Sequence, residues 1–485
     1  MAQIRKPGVF VQEVSSLPAS VSEVASAIPA FIGYTEKADN KTTGDLRFTA
    51  LRIKSFTEFE QYYGKSGPVW FSKIILDGSS TVKSAEPAAN GYNLNQSVQL
   101  YFNNGGGPCY VVSIGNYSET FQRSAFLRGL DIISKQDEPT LLVMPEAINL
   151  TGNDLYSVQQ QALQQAGRLG DRFCILDLKY ATDTRSLSDM VTEFRTGIGM
   201  NQLTYGAAYT PFLKTPIPHK AYQYRYWKNA LWTETGKISL PDLTPDPAIK
   251  QKITELDLLA SVNDTGAEAK EAELLMLFPL MKGIEDKLKQ APLVLPPSGA
   301  VAGLYCNVDR TRGVWKAPAN QSLSAVNGVA VTINDHEQES LNVDVSAGKS
   351  VNAIRSFTGR GINVWGSRTL AGNDNEWRYI PVRRFFIMVE ESLKKSVERF
   401  VFEPNDANTW VKVKSMIENY LTLKWRDGAL MGSKPEQAFY VKTGLGTTMT
   451  AQDVLEGRMI IEVGMAVVRP AEFIILKFSV KMAGK

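Results

Sequence analysis

The sequence predicts a multidomain α/β and α+β chain: an open, mostly parallel α/β sheet domain with an inserted helical segment, an α+β C-terminal domain, and an extended β-strand arm at each end. Three observations carry that expectation. Continuous apolar runs alternate with amphipathic helical stretches between residues 140 and 209, the pattern of strands buried on both faces and joined by right-handed crossovers. A charge-rich stretch from 233 to 290, introduced by Pro241, Pro245 and Pro247, interrupts the alternation and reads as a helical insertion projecting from the sheet domain, its Glu and Lys side chains a solvated face. Each terminus carries a solitary strand-like run, and a lone strand needs a sheet edge to satisfy its backbone N–H and C=O groups.

In chain order, Pro7-Gly8 opens the first run, Val9, Phe10, Val11, Gln12, Glu13 and Val14, which Ser15-Ser16-Leu17-Pro18 closes. Residues 20–36 contain a buried-strand signal ended by glycine. Ser55 or Thr57 caps a short helix that Gly64 ends. Residues 77–92 are rich in Gly, Ser, Ala and Asn and read as a loop, followed by a helix over Ser97 to Phe102 and a strand over Cys109 to Ile114. Strands at 140–144, 172–177 and 205–209 then alternate with helices at 154–168 and 185–197. Near the C-terminus a helix over 381–402 places Phe386, Val389, Leu393, Val397 and Phe400 on one face, with Glu391, Lys394, Lys395 and Glu398 largely outside it. A second helix, about 409–425, turns Trp410, Val413, Met416, Ile417, Tyr420 and Leu421 inward. Residues 464–468 close a strand before the terminal run Phe473, Ile474, Ile475, Leu476, Lys477 and Phe478. Each terminal run either pairs within its own domain or joins a sheet edge of a neighbour.

Bulk properties narrow the function. A chain of 485 residues holds about two to four domains. Its 44% hydrophobic and 21% charged content is that of a globular protein, and a net charge of +3 argues against a general nucleic-acid binder. No apolar run approaches the ~18 residues that span a bilayer. Arg5, Lys6 and Pro7 lead straight into a strand-like run, so a signal peptide is not expected and synthesis is placed in the cytoplasm. Cys109, Cys174 and Cys306 are few, widely spaced and apolar in context, which disfavours a disulfide framework or zinc ribbon. His219 and His336 lie in unrelated segments, so a histidine metal site or triad is not expected.

Candidate chemistry is sparse. The run Asn103-Asn104-Gly105-Gly106-Gly107-Pro108 stands in the order helix, glycines, strand, the reverse of a phosphate cradle, and reads as a tight turn. Pro145-Glu146 and Asp177 stand at the carboxyl ends of parallel strands, where ligands often bind. No nucleophile–base pair accompanies them, and strand-end capping is the commoner role.

From Pro296 longer motifs appear. Pro296-Pro297-Ser298-Gly299 leads to Asp309-Arg310-Thr311-Arg312-Gly313-Val314-Trp315. Val351-Asn352-Ala353-Ile354-Arg355 leads to Gly359-Arg360-Gly361-Ile362-Asn363-Val364-Trp365-Gly366-Ser367-Arg368. Tyr379-Ile380-Pro381-Val382-Arg383-Arg384, Val454-Leu455-Glu456-Gly457-Arg458 and Arg469-Pro470-Ala471-Glu472-Phe473 follow. Gly299, Gly303 and Gly313 permit close backbone approach or positive φ. Trp315 and Trp365 are apolar anchors, and Arg355, Arg360 and Arg368 are candidate carboxylate partners in structural roles. Together with Pro7 to Val14 and Asn103 to Val112, this series resembles the contractile tail sheath proteins of long-tailed phages and phage-like injection systems. Residues 40–54, 78–95 and 233–290 are weakly covered, and the run Lys442 to Met449 stands where many relatives carry a Cys-Asp pair.

The resemblance implies a non-enzymatic structural subunit without cofactor or metal. It would polymerise as six-fold rings stacked helically around an inner tube protein, and contraction would drive the tube through a target envelope. Partners would be further copies of itself, the tube, and baseplate and terminal cap proteins, with no nucleic acid and no direct membrane insertion. The particle would be a phage tail or phage-like assembly, cytoplasmic or released. The implied division is an N-terminal strand-exchange arm at 1–20, the α/β sheath domain at 21–365 with its outward insertion about 233–290, a tube-facing C-terminal domain at 366–470 and a second arm at 471–485. Strand exchange would use Val9 to Val14 and Phe473 to Phe478, and Lys394, Lys395, Lys412 and Lys414 would face the tube. The competing readings are an α/β hydrolase-like enzyme, suggested by the parallel sheet, and a sheath-like cap or baseplate component.

Overall fold

The computed structural model describes residues 20–88, 91–180, 186–217, 223–261, 266–344 and 347–475. Val9 to Val14, His219, Leu476, Lys477 and Phe478 lie outside the described residues. The chain divides into two compact units, one of residues 25–388 with 469–475, the other of residues 20–24 with 389–468.

In the large unit nine described strands form one mixed sheet, in the order Gln321–Ser322, Gly361–Val364, Asn352–Phe357, Gly206–Thr210, Phe173–Asp177, Leu141–Val143, Pro29–Thr35, Cys109–Asn116 and Ala50–Ile53. The six central strands run parallel, and short antiparallel strands close each side. Both faces are buried, which is why these strands read as continuous apolar runs. Phe31, Val111, Leu141, Val143, Phe173, Ile175 and Tyr209 face one core with the helices Leu94–Asn103 and Ser298–Arg312. Ile32, Val112, Leu142, Cys174 and Leu176 face the other core, with the helices Arg123–Ser134, Asp154–Leu169 and Leu187–Gly197.

Two glycines of the Pro296 motif set the spacing on the first face. A Cβ on Gly299 would sit against the carbonyl oxygen of Ser97, and one on Gly303 against that of Tyr101, both far inside van der Waals contact. Only glycine lets the Ser298–Arg312 helix lie this close to the Leu94–Asn103 backbone. Ser55 caps the Phe56–Tyr63 helix by accepting from the Glu58 N–H.

Three expectations are corrected here. The stretch 77–92 holds a strand, Val82–Pro87, paired antiparallel with Phe71–Leu76. With Leu231–Thr233 and Gly236–Lys237 they make a four-stranded sheet. The insertion is three helices, Pro247–Ser261, Gly266–Leu277 and Pro279–Leu288, whose Ile253, Leu256, Leu274, Met281 and Ile284 join the first core. Its charged residues are not all solvated: Glu271 and Glu285 are buried, hydrogen-bonded to each other, and Glu271 accepts the Tyr224 N–H at 2.6 Å. Burial raises both carboxyls, and the charge of Glu271 raises Glu285 further.

The third correction concerns the Ile380–Val397 helix, whose first part, to Met388, belongs to the large unit, and which ends in a 3-10 turn, Glu398–Phe400. Val389 is buried as expected, but Phe386, Leu393, Val397 and Phe400 are only half-buried, while Ser392, Ser396 and Glu391 are buried. In the C-terminal unit the Ala407–Arg426 helix buries Val413, Met416, Ile417, Tyr420 and Leu421, with Trp410 half-buried. It packs on a two-stranded antiparallel sheet, Phe439–Thr443 with Ile461–Met465, in a register from Phe439↔Met465 to Thr443↔Ile461.

Candidate functional site

The two carboxyls at strand ends are caps. Glu146 is fully buried; its Oε2 accepts the Tyr34 N–H at 2.6 Å and its Oε1 accepts the Leu94 N–H at 2.9 Å, at the start of the Leu94–Asn103 helix. Burial pushes this carboxyl up to about 8, against the pull of the N–H groups of Tyr34, Leu94 and Asn93. Asp177 does the same for the Ser298–Arg312 helix, accepting the Ser298 N–H at 2.9 Å, and burial pushes it up to about 7. Glu146 thus ties a strand to a helix start, and Asp177 Oδ1 caps a second helix. The three cysteines are buried free thiols, and among the described residues no group of three or more His, Cys, Asp or Glu side chains is placed to hold a metal ion.

The residues that the motifs bring together lie instead next in sequence to the two terminal runs. Behind the N-terminal arm, residues 20–24 run along two helices of the C-terminal unit. The Ser22 N–H donates to Ser396 Oγ at 3.2 Å and the Val24 N–H to Ser392 Oγ at 3.0 Å. Arg399 Nη2 donates to the Ser20 carbonyl at 2.9 Å. Glu23 accepts from Tyr420 Oη at 2.9 Å and pairs with Lys424 at 2.6 Å. Sequence reasoning missed these groups; two serines four residues apart, on one face of a helix, were the available signal.

Within the large unit the next residues meet a buried ion pair. Arg384 holds Asp309 through two bonds, Nη1 to Oδ1 at 2.9 Å and Nη2 to Oδ2 at 2.6 Å. Ser26 Oγ also donates to Asp309 at 2.6 Å, and Arg384 donates to the Ser26 carbonyl at 3.0 Å. The guanidinium lies 4.4 Å over the Tyr305 ring. Two motifs far apart in sequence, Asp309-Arg310-Thr311-Arg312 and Arg383-Arg384, thus fix the chain just beyond the arm.

Toward the other end Glu472 is, among the described residues, the last with side-chain hydrogen bonds. Arg368 grips its carboxylate, Nη2 at 2.6 Å and Nε at 3.0 and 3.1 Å, while Asn342 Nδ2 donates at 2.7 Å and Tyr379 Oη at 3.2 Å. Burial alone would raise this carboxyl; the bonds from Arg368 and Asn342 outweigh it and hold Glu472 below the usual carboxylate range. Immediately beyond, Phe473, Ile474 and Ile475 are 70%, 78% and 79% exposed. Of the other predicted carboxylate partners, Arg355 pairs with Asp335 at 2.8 Å, whereas Arg360 lies over the Phe357 and Trp365 rings at 4.7 and 5.4 Å.

The four lysines assigned to the tube lie on the two long helices. Lys394 and Lys395 are exposed and pair with Glu391 at 3.3 and 3.2 Å. Lys412 is exposed, and Lys414 is half-buried beside Glu418 at 3.7 Å. No helix among the described residues is long and apolar enough to cross a membrane.

A helix-covered parallel sheet, firmly bonded residues 20–26 and 469–472, and a small sheet of two strands among the described residues make up the fold, and the chain belongs to the contractile tail sheath family. Residues 372–481 match the model of the phage tail sheath C-terminal domain. A chain of the six-fold symmetrised anti-feeding prophage (AFP) baseplate structure is 30% identical, with a TM-score of 0.62, covering 99% of this chain and 100% of that one. A chain of the contracted PVC sheath complex, an extracellular contractile injection system, is 28% identical with a TM-score of 0.62 and 99% of each chain covered. The tail sheath protein of Burkholderia phage BcepMu is 29% identical over 164 residues, 33% of this chain and 34% of that protein's length. That of Vibrio phage KVP40 is 27% identical over 137 residues, 28% of this chain and 20% of its own.

Proposed function

We propose that the chain is the repeating, non-enzymatic subunit of a contractile sheath, stacked in six-fold rings around an inner tube and shortening to drive that tube through a cell envelope. The observation that carries the reading is the firm bonding of residues 20–26 and of Glu472, next in sequence to the two terminal runs, together with a sheet that has only two strands among the described residues. Strands donated by neighbours would complete that sheet by β-augmentation. A contact of this kind is heterologous, and heterologous contacts repeated about an axis build open helical assemblies. The C-terminal domain, about 366–470, would face the tube through Lys394, Lys395, Lys412 and Lys414, and the helical insertion would face outward. Baseplate and cap proteins would close the ends. The extended state would be kinetically trapped, contraction releasing conformational energy held in the lattice.

The test is to delete residues 1–18 or 473–485. Each truncated chain should stay soluble and monomeric with its circular dichroism unchanged, while the intact chain forms tubes by electron microscopy. A truncated chain that still polymerises normally would overturn strand exchange. A second reading, a terminal sheath-like component, is favoured by the match to a chain of the AFP baseplate structure. Long tubes grown from the purified chain alone would exclude it.

A further inference from the structure

We propose that Arg368 and Glu472 form the clamp that fixes where the C-terminal arm begins, and so set the reach and facing with which residues from Phe473 onward meet a neighbouring subunit. The proposal rests on the strand-exchange reading above and deepens it, assigning to one ion pair the register of the exchanged strand.

Arg368 is held from all sides before it meets Glu472. Its side chain is 5% exposed, and its guanidinium also donates to the carbonyls of Asn342 and Gly372 at 3.4 and 3.3 Å. Its backbone is fixed by Asn352, which accepts the Arg368 N–H at 2.8 Å and donates to the Arg368 carbonyl at 2.8 Å. Arg469 donates to the Asn375 carbonyl at 2.8 Å, securing the approach to the clamp. The two-point grip on the carboxylate leaves Glu472 one position and one orientation. One residue later the side chains stand in solvent.

Such a boundary has a geometric consequence. Side chains alternate along a strand, so a one-residue slip sends each to the opposite face. With Glu472 fixed, Phe473 and Ile475 share one face and Ile474 takes the other. Each added residue extends the arm by about 3.3 Å.

The experiment inserts Gly-Ser at two places in the full chain, between Glu472 and Phe473, or between Pro470 and Ala471. The downstream insertion lengthens the arm by about 7 Å and should change the helical rise or rotation of the assembled tube, read by cryo-electron microscopy. The upstream insertion loops out ahead of the clamp and should leave the lattice native. Equal lattices from the two insertions, or a larger change from the upstream one, would overturn the clamp. Deletion of 473–485 separates the two ideas: if the arm is dispensable the exchange reading fails, whereas if it is required and the insertions act alike only the clamp fails. A measurement on the soluble subunit needs no polymer. Glu472→Gln should speed amide hydrogen exchange of Arg469, Ala471 and residue 472 by roughly 10- to 100-fold, the factor carried by a hydrogen bond to a charged group, with exchange elsewhere unchanged. Exchange in the unaltered subunit as fast at 469–472 as at 473–475 would also overturn it.

Discussion

The nine-stranded sheet ends on each side in a short antiparallel strand, Ala50–Ile53 and Gln321–Ser322, whereas the sheet of the C-terminal unit has only Phe439–Thr443 and Ile461–Met465 among the described residues. Short edge strands blunt the invitation to further pairing. Both faces of the large sheet are covered by helices, and its strand-end carboxyls each accept from the first N–H of a helix. The small sheet is half-exposed along both strands, with Tyr440 at 45%. Two strands are marginal without a third or a packed helix, and here the Ala407–Arg426 helix provides the packing. The difference teaches that folding and assembly can be written in separate residues: those of the large sheet hold the subunit together, and in the reading proposed above those of the small sheet and the arms would hold subunits to one another.

Substitutions in the large unit should therefore change stability without changing the lattice. The largest effect is expected from Asp309→Ala, which leaves the buried Arg384 guanidinium without its carboxylate; losing one partner of a buried pair costs about 3–5 kcal/mol. Urea unfolding of the soluble subunit measures it. Normal stability with blocked assembly would break the comparison. Gly299→Ala, which drives a methyl into the Ser97 carbonyl, should cost about 1–3 kcal/mol by the same assay.

Glu146→Gln should cost about 1–3 kcal/mol at neutral pH, because one of two buried N–H donors then faces an amide NH₂. It also carries a pH signature. A carboxyl raised from 4.5 to about 8 keeps its proton in the folded chain where the unfolded chain has released it. Its contribution is full below the ordinary Glu range and is lost as pH rises toward about 8. The thermal midpoint should fall across that window less steeply in Glu146→Gln than in the unaltered chain; parallel curves would show that Glu146 is ionised throughout.

The smallest effect on the subunit itself is expected from Lys394→Glu with Lys395→Glu, about 0–1 kcal/mol, since exposed pairs contribute little. Assembly of sheath alone should persist, but particles should be empty or contracted by electron microscopy. Normal tube-filled particles at raised salt would remove these lysines from the tube contact.

The parallel core was legible because burial on both faces leaves unbroken apolar runs such as Phe173-Cys174-Ile175-Leu176. The helix pair built on Gly299 and Gly303 was legible as close approach, though its partner was not. Val82–Pro87 was illegible because Lys83, Ser84 and Glu86 make it resemble a loop, and pairing with Phe71–Leu76 alone makes it a strand. The seam of the Ile380–Val397 helix was misjudged by reading apolar residues only; Ser392 and Ser396 are buried because a distant backbone segment bonds to them. Arg368 was recognised as a carboxylate partner, yet nothing local points to Glu472, about a hundred residues away.

The unlike construction of the two roots has a mechanical consequence. A pull on the N-terminal arm loads the Ser22 and Val24 bonds to serines one helical turn apart, so tension is shared like shear along a zip. A pull on the C-terminal arm would arrive first at Glu472, as on a rivet. In the sheath proposed above, the first joint would be compliant and the second stiff, so that a tube knitted through them would stretch at the one and keep its pitch at the other.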